Sequence, residues 1–345
     1  MGARADRLRG HLPLPLLATV AFFASMPLWT QRIGLYDYLA LEVLIWSLFA
    51  MAYNMMLGYT GLPSFGHAAF FGIGGYAFGL FQFNVYPNLW ACLAASVIAA
   101  ALAGAFVAAF ISHRRGIYYA LLTIAFGEMF VFICTKWYTV TKGEDGLLNI
   151  RRLPAVLGFA SFGTKTNVEL FYFVLVVFAV VVWLLWRLIH SPFGHAMQAI
   201  KQNDLRAAFL GYNVWLCKWL VFVLSATVAG LAGGLFAMAQ EGAYVQVMTL
   251  QWSGIVVLMT LTGGGLVSFW GPVLGTIVFF VARDVLGALT ETWLIWYGVM
   301  FMIIVMFKPE GIAGMLQDLE ARLRRVLGAG RPASVEAARA DDGSV

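Results

Sequence analysis

The chain has 345 residues, of which 61% are apolar and only 11% charged, with a formal net charge of +5. A water-soluble fold of this length cannot hide so much apolar surface, because soluble proteins carry about a quarter of their residues as charges. Composition therefore excludes a soluble enzyme or a nucleic-acid binder and predicts an all-α, polytopic helical membrane protein.

About ten spans are expected, eight at the fewest, each long enough to cross a hydrocarbon core of about 30 Å as a helix. They fall at 12–29, 35–57, 64–81, 89–111, 117–135, 169–189, 219–239, 244–262, 271–289 and 292–307, the eighth being the weakest. The first, preceded by Arg4, Arg7 and Arg9, is expected to stay as a helix, since it is long for a signal peptide and no A-x-A site follows. Trp29, Trp90, Trp137, Trp186, Trp215, Trp219, Trp270 and Trp293 fall near predicted span ends, where indole rings favour the headgroup layer. Basic residues in short connections (Arg114 and Arg115; Arg187, Lys201, Arg206 and Lys218) place those connections in the cytoplasm, and an even number of spans puts both termini there. The loop 136–168, with Lys136, Lys142, Arg151, Arg152 and Lys165, then lies outside despite its charge. Cys92, Cys134 and Cys217 show neither metal spacing nor a disulfide framework and read as packing residues. The membrane-embedded body is expected to end at 307, and 308–345 to form a largely disordered cytoplasmic tail, with a short surface helix around MLQDLEARLRRVLG.

Within this chain, GYTGLPSFGH (58–67) is the most irregular stretch. Gly58, Gly61, Pro63 and Gly66 predict a helix break, and irregular backbone at membrane depth survives only inside protein or beside water. GLPSF (61–65) is matched by GLVSF (265–269), each leading into a glycine-bearing apolar segment. Two corresponding breaks suggest a duplicated architecture with inverted repeats around a substrate route, although a five-residue match also arises by chance. Gly75 with Gly79, Gly230 with Gly234, and Gly271 with Gly275 have the spacing of close helix packing.

Charges inside spans are costly, so Glu42 and especially Glu128, near the middle of the fifth span, are candidates for function, with pairing on a neighbouring helix as the structural alternative. His67, beside the glycine break, fits either a polar path or a hydrogen-bonded core site. The five histidines (11, 67, 113, 190, 195) form no metal motif, and Ser191-Pro192 keeps His190 and His195 off one helical face. GFASFGTKT (158–166) approaches a phosphate-binding loop but inserts Thr164 before Lys165. No cofactor is expected on this chain; ATP, if used, is bound by another one. The connection SPFGHAMQAIKQNDLRAAFLGYNVWLCKW (191–219) is too polar to span, and its middle, 198–210, predicts a helix ended by Gly211. Such a helix serves either as a mere connector or as a grip for a soluble partner.

NMMLGYTGLPSFGHAAFFGIGGY, RGIYYALLTIAFGEM, GEDGL, SPFGHAMQAIKQNDLRAAFLGY, SATVAGLAGGL, GGGLVSFWGPVLG and FKPEGIAGM occur in one order between about residues 40 and 315. In these motifs the chain resembles the LivM-like membrane permease subunits of bacterial branched-chain amino-acid ABC importers. The resemblance implies an inner-membrane half-transporter that pairs with a second permease, docks two ATP-binding subunits and receives solute from an extracytoplasmic binding protein. It implies an ATPase-coupling loop with Asp204, Arg206, Ala207, Ala208 and Gly211, where Leu205 and Arg206 depart from the usual acidic and small residues. It further implies alternating access along a path to which Thr60, Ser64, His67, Glu128 and Ser268 contribute. The competing expectation is an ion-gradient-driven transporter or channel with Glu42 and Glu128 as proton sites; a membrane enzyme is a third.

Overall fold

The second apolar segment becomes the axis of the molecule. In the computed structural model, which describes residues 14–33, 37–157, 160–164, 166–308 and 310–316, helix α2 (Asp37–Asn54) and the turn after it bury every residue from Leu39 to Met56. A helix apolar on all sides has no preferred face and is stable only when surrounded. Around α2 stand α1 (Leu14–Ile33), α7 (Asn167–Ile189), α10 (Val214–Gln240), α11 (Leu250–Gly263) and α12 (Gly271–Leu289). Trp46, at the centre of α2, stacks on Phe71 at 5.0 Å and on Trp252 at 4.6 Å between ring centroids.

A second group joins α10 to α3 (Ala68–Asn84) and α4 (Leu89–Ile111). Small residues let these backbones approach, as expected: a methyl at Gly234 would come within 2.5 Å of the Ser96 hydroxyl, and one at Gly104 within 2.6 Å of Ala226. On the outside, α5 (Gly116–Lys136), followed by the single turn α6 (Tyr138–Thr141), and α13 (Trp293–Phe307) expose long apolar faces. Polar residues fix where helices start. Asn88 accepts from Trp90 N and Ala91 N to open α4, and Thr166 and Glu169 form a reciprocal capping box on α7.

Among the described residues, six helices are long and apolar enough to cross a membrane: 38–60, 89–111, 116–136, 167–189, 214–240 and 271–289. Two further expected spans appear as shorter apolar helices, α11 and 293–304. The expected span at 64–81 is shifted, because the break consumes its first turn and α3, 17 residues long, starts only at Ala68.

The fold departs from purely α in two short antiparallel ladders. Strand β1 (Leu147–Leu148) pairs with β4 (Gly242–Ala243), and β2 (Ala155–Leu157) with β3 (Ala160–Phe162). The first ladder ties the long loop to the end of α10, where Arg152 also meets Glu241 at 3.0 Å. Trp90, Trp137 and Trp215 stand exposed near helix ends, whereas the Trp219 indole turns inward and donates to the Ala105 carbonyl at 3.1 Å. The three cysteines are free. The beginning of the predicted tail is ordered against the body: 311–316 is helical, and a methyl at Gly264 would lie 3.1 Å from Ala313. Arg4, Arg7, Arg9, His11, Lys165 and the tail from 317 on lie outside the described residues.

Candidate functional site

Helix α2 continues past Asn54 as a π-helical turn, Met55–Thr60, and stops at Gly61 in the left-handed region (φ 71°). Gly58 therefore lies inside the turn, and the break runs from Gly61 to His67. Gly61 is exposed, Leu62, Ser64, Gly66 and His67 are buried, and neighbouring side chains accept hydrogen bonds from the backbone that follows. Ser64 N donates to the Tyr53 hydroxyl (3.3 Å), Phe65 N to Thr123 Oγ1 of α5 (3.1 Å), and Ala68 N to Ser253 Oγ of α11 (3.0 Å).

His67 sits among the rings of Phe49, Tyr53, Phe70 and Phe222, with Nε2 at 2.8 Å from Ser225 Oγ. Ser225 gives its own proton to the Ala52 carbonyl (2.6 Å), so His67 Nε2 carries the hydrogen that Ser225 accepts. Thr60 bonds back to Met55 O at 3.0 Å. Thr60, Ser64 and His67 are all fully buried. In this conformation the three side chains are packed inside the protein and not on an open surface.

The second break follows α11, where Gly264 takes φ 87°. The left-handed glycines are thus Gly61 and Gly264, one residue out of step with the GLPSF and GLVSF match, and Ser268 is half-exposed where Ser64 is buried. The two breaks nevertheless meet: a methyl at Gly58 would lie 2.7 Å from the Gly265 carbonyl. Around this meeting point open two adjoining cavities of about 430 and 460 Å³, which share Tyr59, Gln198 and Val267. Ser268, His190 and His195 line the second cavity, so the two imidazoles converge there although no helix face joins them.

The connection expected as one helix over 198–210 is two, α8 (Pro192–Gln202) and α9 (Asp204–Phe209). Asn203 divides them with extended backbone, its side chain accepting from Arg206 N at 3.0 Å. Gly211 ends α9 with φ 90°, as expected. Asp204 accepts from Arg115 Nε at 2.8 Å and from the buried Lys218 ammonium, which anchors α9 to α5 and α10. Ala207 packs inward, while Arg206, Ala208 and Gly211 are exposed beside Leu205, Phe209 and Leu210. Lys201, on α8, donates to the Gly58 carbonyl at 2.6 Å, and partial burial pulls its ammonium below its ordinary range.

The two intramembrane carboxylates differ in kind. Glu42 is buried and makes a two-pronged pair with Arg283 of α12, at 3.0 and 2.9 Å. The guanidinium also meets Asp284 at 3.1 Å and lies 4.5 Å over the Phe280 ring. A carboxylate so engaged ties α2 to α12. Glu128 is exposed on α5, in a stripe with Tyr118, Leu121 and Phe132. The preceding residue, Gly127, abuts Gly66 of the first break. Among the described residues no cluster of His, Cys, Asp or Glu has the arrangement of a metal site.

The profile described as branched-chain amino acid transport system / permease component matches residues 35–307, most of the chain. The chain belongs to this family. It is a permease subunit of an ABC transport system and a multi-pass membrane protein, not an enzyme. It is similar to the high-affinity branched-chain amino acid permease LivM of Escherichia coli, 25% identical over 320 residues, covering 87% of this chain and 74% of the relative. A probable LivM of Methanocaldococcus jannaschii is 22% identical over 312 residues, covering 76% and 88%. Part of the chain, 112 residues, is also 28% identical to the nucleoside permease NupC of Lactococcus lactis, covering 32% of each. No solved structure matches the chain significantly.

This permease carries several site residues that sequence reasoning passed over. Arg283 had a signal, because a lone acid in one span and a lone base in another are most cheaply buried as a pair. Thr123, Ser225 and Ser253 had none, since a hydroxyl in an apolar helix ordinarily bonds its own preceding turn.

Proposed function

We propose that this permease subunit moves branched-chain or related amino acids across the bacterial cytoplasmic membrane by alternating access, with the Glu128 stripe of α5 facing the solute path beside a second permease. The observation that carries this reading is the exposure of Glu128. A carboxylate near mid-span costs about 3 kcal/mol or more against lipid, so the stripe belongs against protein or water. The relatives' branched-chain amino-acid names support the solute class.

The ten apolar segments, including the two shorter helices, cross alternately, so both breaks, α8 and α9 lie at the cytoplasmic end together with both termini. The cytoplasmic tail begins after 308. Two ATP-binding subunits grip α9, where Phe209 is 88% and Leu210 71% exposed, a solvent-facing apolar patch that calls for a partner. ATP binds on those subunits and this chain needs no cofactor of its own. A binding protein delivers solute to the opposite face.

The test is uptake of radiolabelled leucine by proteoliposomes holding both permeases, the ATPases and the binding protein. Uptake should require ATP, and Glu128→Gln should change it at least fivefold while leaving assembly intact. Gradient-driven uptake by this chain alone, or a Glu128→Leu variant with unchanged uptake, would defeat the reading.

A further inference from the structure

Alternating access driven from outside requires that a push on the cytoplasmic connection reach the transmembrane helices. Besides the packing of Ala196, Met197 and Ile200 of α8 against the body, polar contacts join the connection to it at two places, and they differ in kind. At Asn203 the segment bends, and immediately after it Asp204 is fixed by Lys218 to α10 and by Arg115 to the start of α5. Before the bend, α8 reaches the irregular end of α2 through Lys201.

That second attachment has a specific chemistry. The last four carbonyls of a helix lack partners within it, and Gly58 is one of these at the end of the π-helical turn. Lys201 Nζ meets its oxygen at 2.6 Å, a charge-assisted bond. The side-chain stem lies against the far side of the break, since a methyl at Gly61 would come 3.2 Å from Lys201 Cγ. One side chain therefore spans the turn from the Gly58 carbonyl to the left-handed terminus at Gly61. The neighbouring contact is the second break, whose Gly265 carbonyl faces Gly58. A displacement of Lys201 consequently bears on both breaks, and the cavities on either side give the turn room to move. π-turns inside helices mark functional sites often enough to make this end of α2 a natural moving part.

We infer that Lys201 is the positioning residue through which movement of α8, pivoting at Asn203 and Asp204, is transmitted through the π-turn to the paired breaks at Gly61–His67 and Gly264–Trp270. The inference rests on the ATP-driven importer reading. Lys201 acts by holding the Gly58 carbonyl.

The experiment measures leucine taken up per ATP hydrolysed in the fully assembled transporter in proteoliposomes. Lys201→Met keeps the stem and removes the charge, and should lower this ratio at least fivefold; Lys201→Arg, which restores a donor, should return it to within twofold of the parent. A merely structural lysine would lower uptake and hydrolysis together and leave the ratio unchanged, and that result overturns the inference. A second measurement does not depend on the Met variant folding. Tyr59→Cys and Gln198→Cys, which line the same cavities, are joined by a short bifunctional thiol reagent in a background that keeps Lys201. If α8 and the π-turn move as one body, the ratio stays within twofold of the uncrosslinked protein; arrest of uptake on crosslinking overturns the inference. Should the parent complex take up leucine without ATP, the importer reading fails and the role of Lys201 falls with it. A parent driven by ATP alongside an unchanged Met variant removes only the role of Lys201.

Discussion

Glu42 and Arg283 offer a test of the helix packing that any movement must preserve. The Glu42 side chain is 8% exposed and that of Arg283 21%, with two hydrogen bonds between them. Breaking a buried pair by removing one partner costs about 3–5 kcal/mol, because the survivor keeps its desolvation penalty without compensation. The two single variants are unequal here. After Glu42→Met, Arg283 retains Asp284 and the Phe280 face and is the more exposed group, so the loss should lie near about 2–3 kcal/mol. After Arg283→Met, Glu42 is left among apolar side chains, and the loss should reach about 4 kcal/mol. The double Met variant removes both charges at once and should be more stable than either single, giving a coupling energy of at least about 2 kcal/mol. Unfolding in mixed micelles as a function of denaturing detergent reads all four proteins. Additive losses, or single variants each costing under about 0.5 kcal/mol, would refute the claim that this pair joins α2 to α12.

The two anchors of Asp204 should separate by burial. Lys218→Met leaves a carboxylate without its buried partner and should cost about 3 kcal/mol by the same unfolding assay, while Arg115→Ala, whose side chain is 54% exposed, should cost under about 1 kcal/mol. The two left-handed glycines should rank by what surrounds them. Gly61→Ala pays about 1–2 kcal/mol for backbone strain beside a flexible lysine stem, whereas Gly264→Ala adds a collision with the Glu310 carbonyl and should be worse, measured as yield of folded protein and detergent stability.

The sequence alone determined the membrane setting, the helical class, most of the span positions, an irregular stretch within 58–66, the polar connection at 191–218 and the family. These depend on composition and local order: apolar run length, glycine and proline, and motifs in fixed succession. Tertiary structure decided what the polar residues do. His67, Thr60 and Ser64 looked alike from the sequence as candidates for a path, and packing turned all three inward, where Thr60 bonds back to Met55 O, His67 meets the Ser225 hydroxyl and the Ser64 N–H meets the Tyr53 hydroxyl. Glu42 and Glu128 were two acids in two apolar helices; one faces Arg283 across the core and the other faces out. The off-by-one backbone of the two GLxSF segments, and the meeting of Gly58 with Gly265 and Lys201, join residues far apart in the chain. An α-helix gives a side chain a direction only relative to its own axis, and which neighbour stands in that direction is fixed when the helices pack.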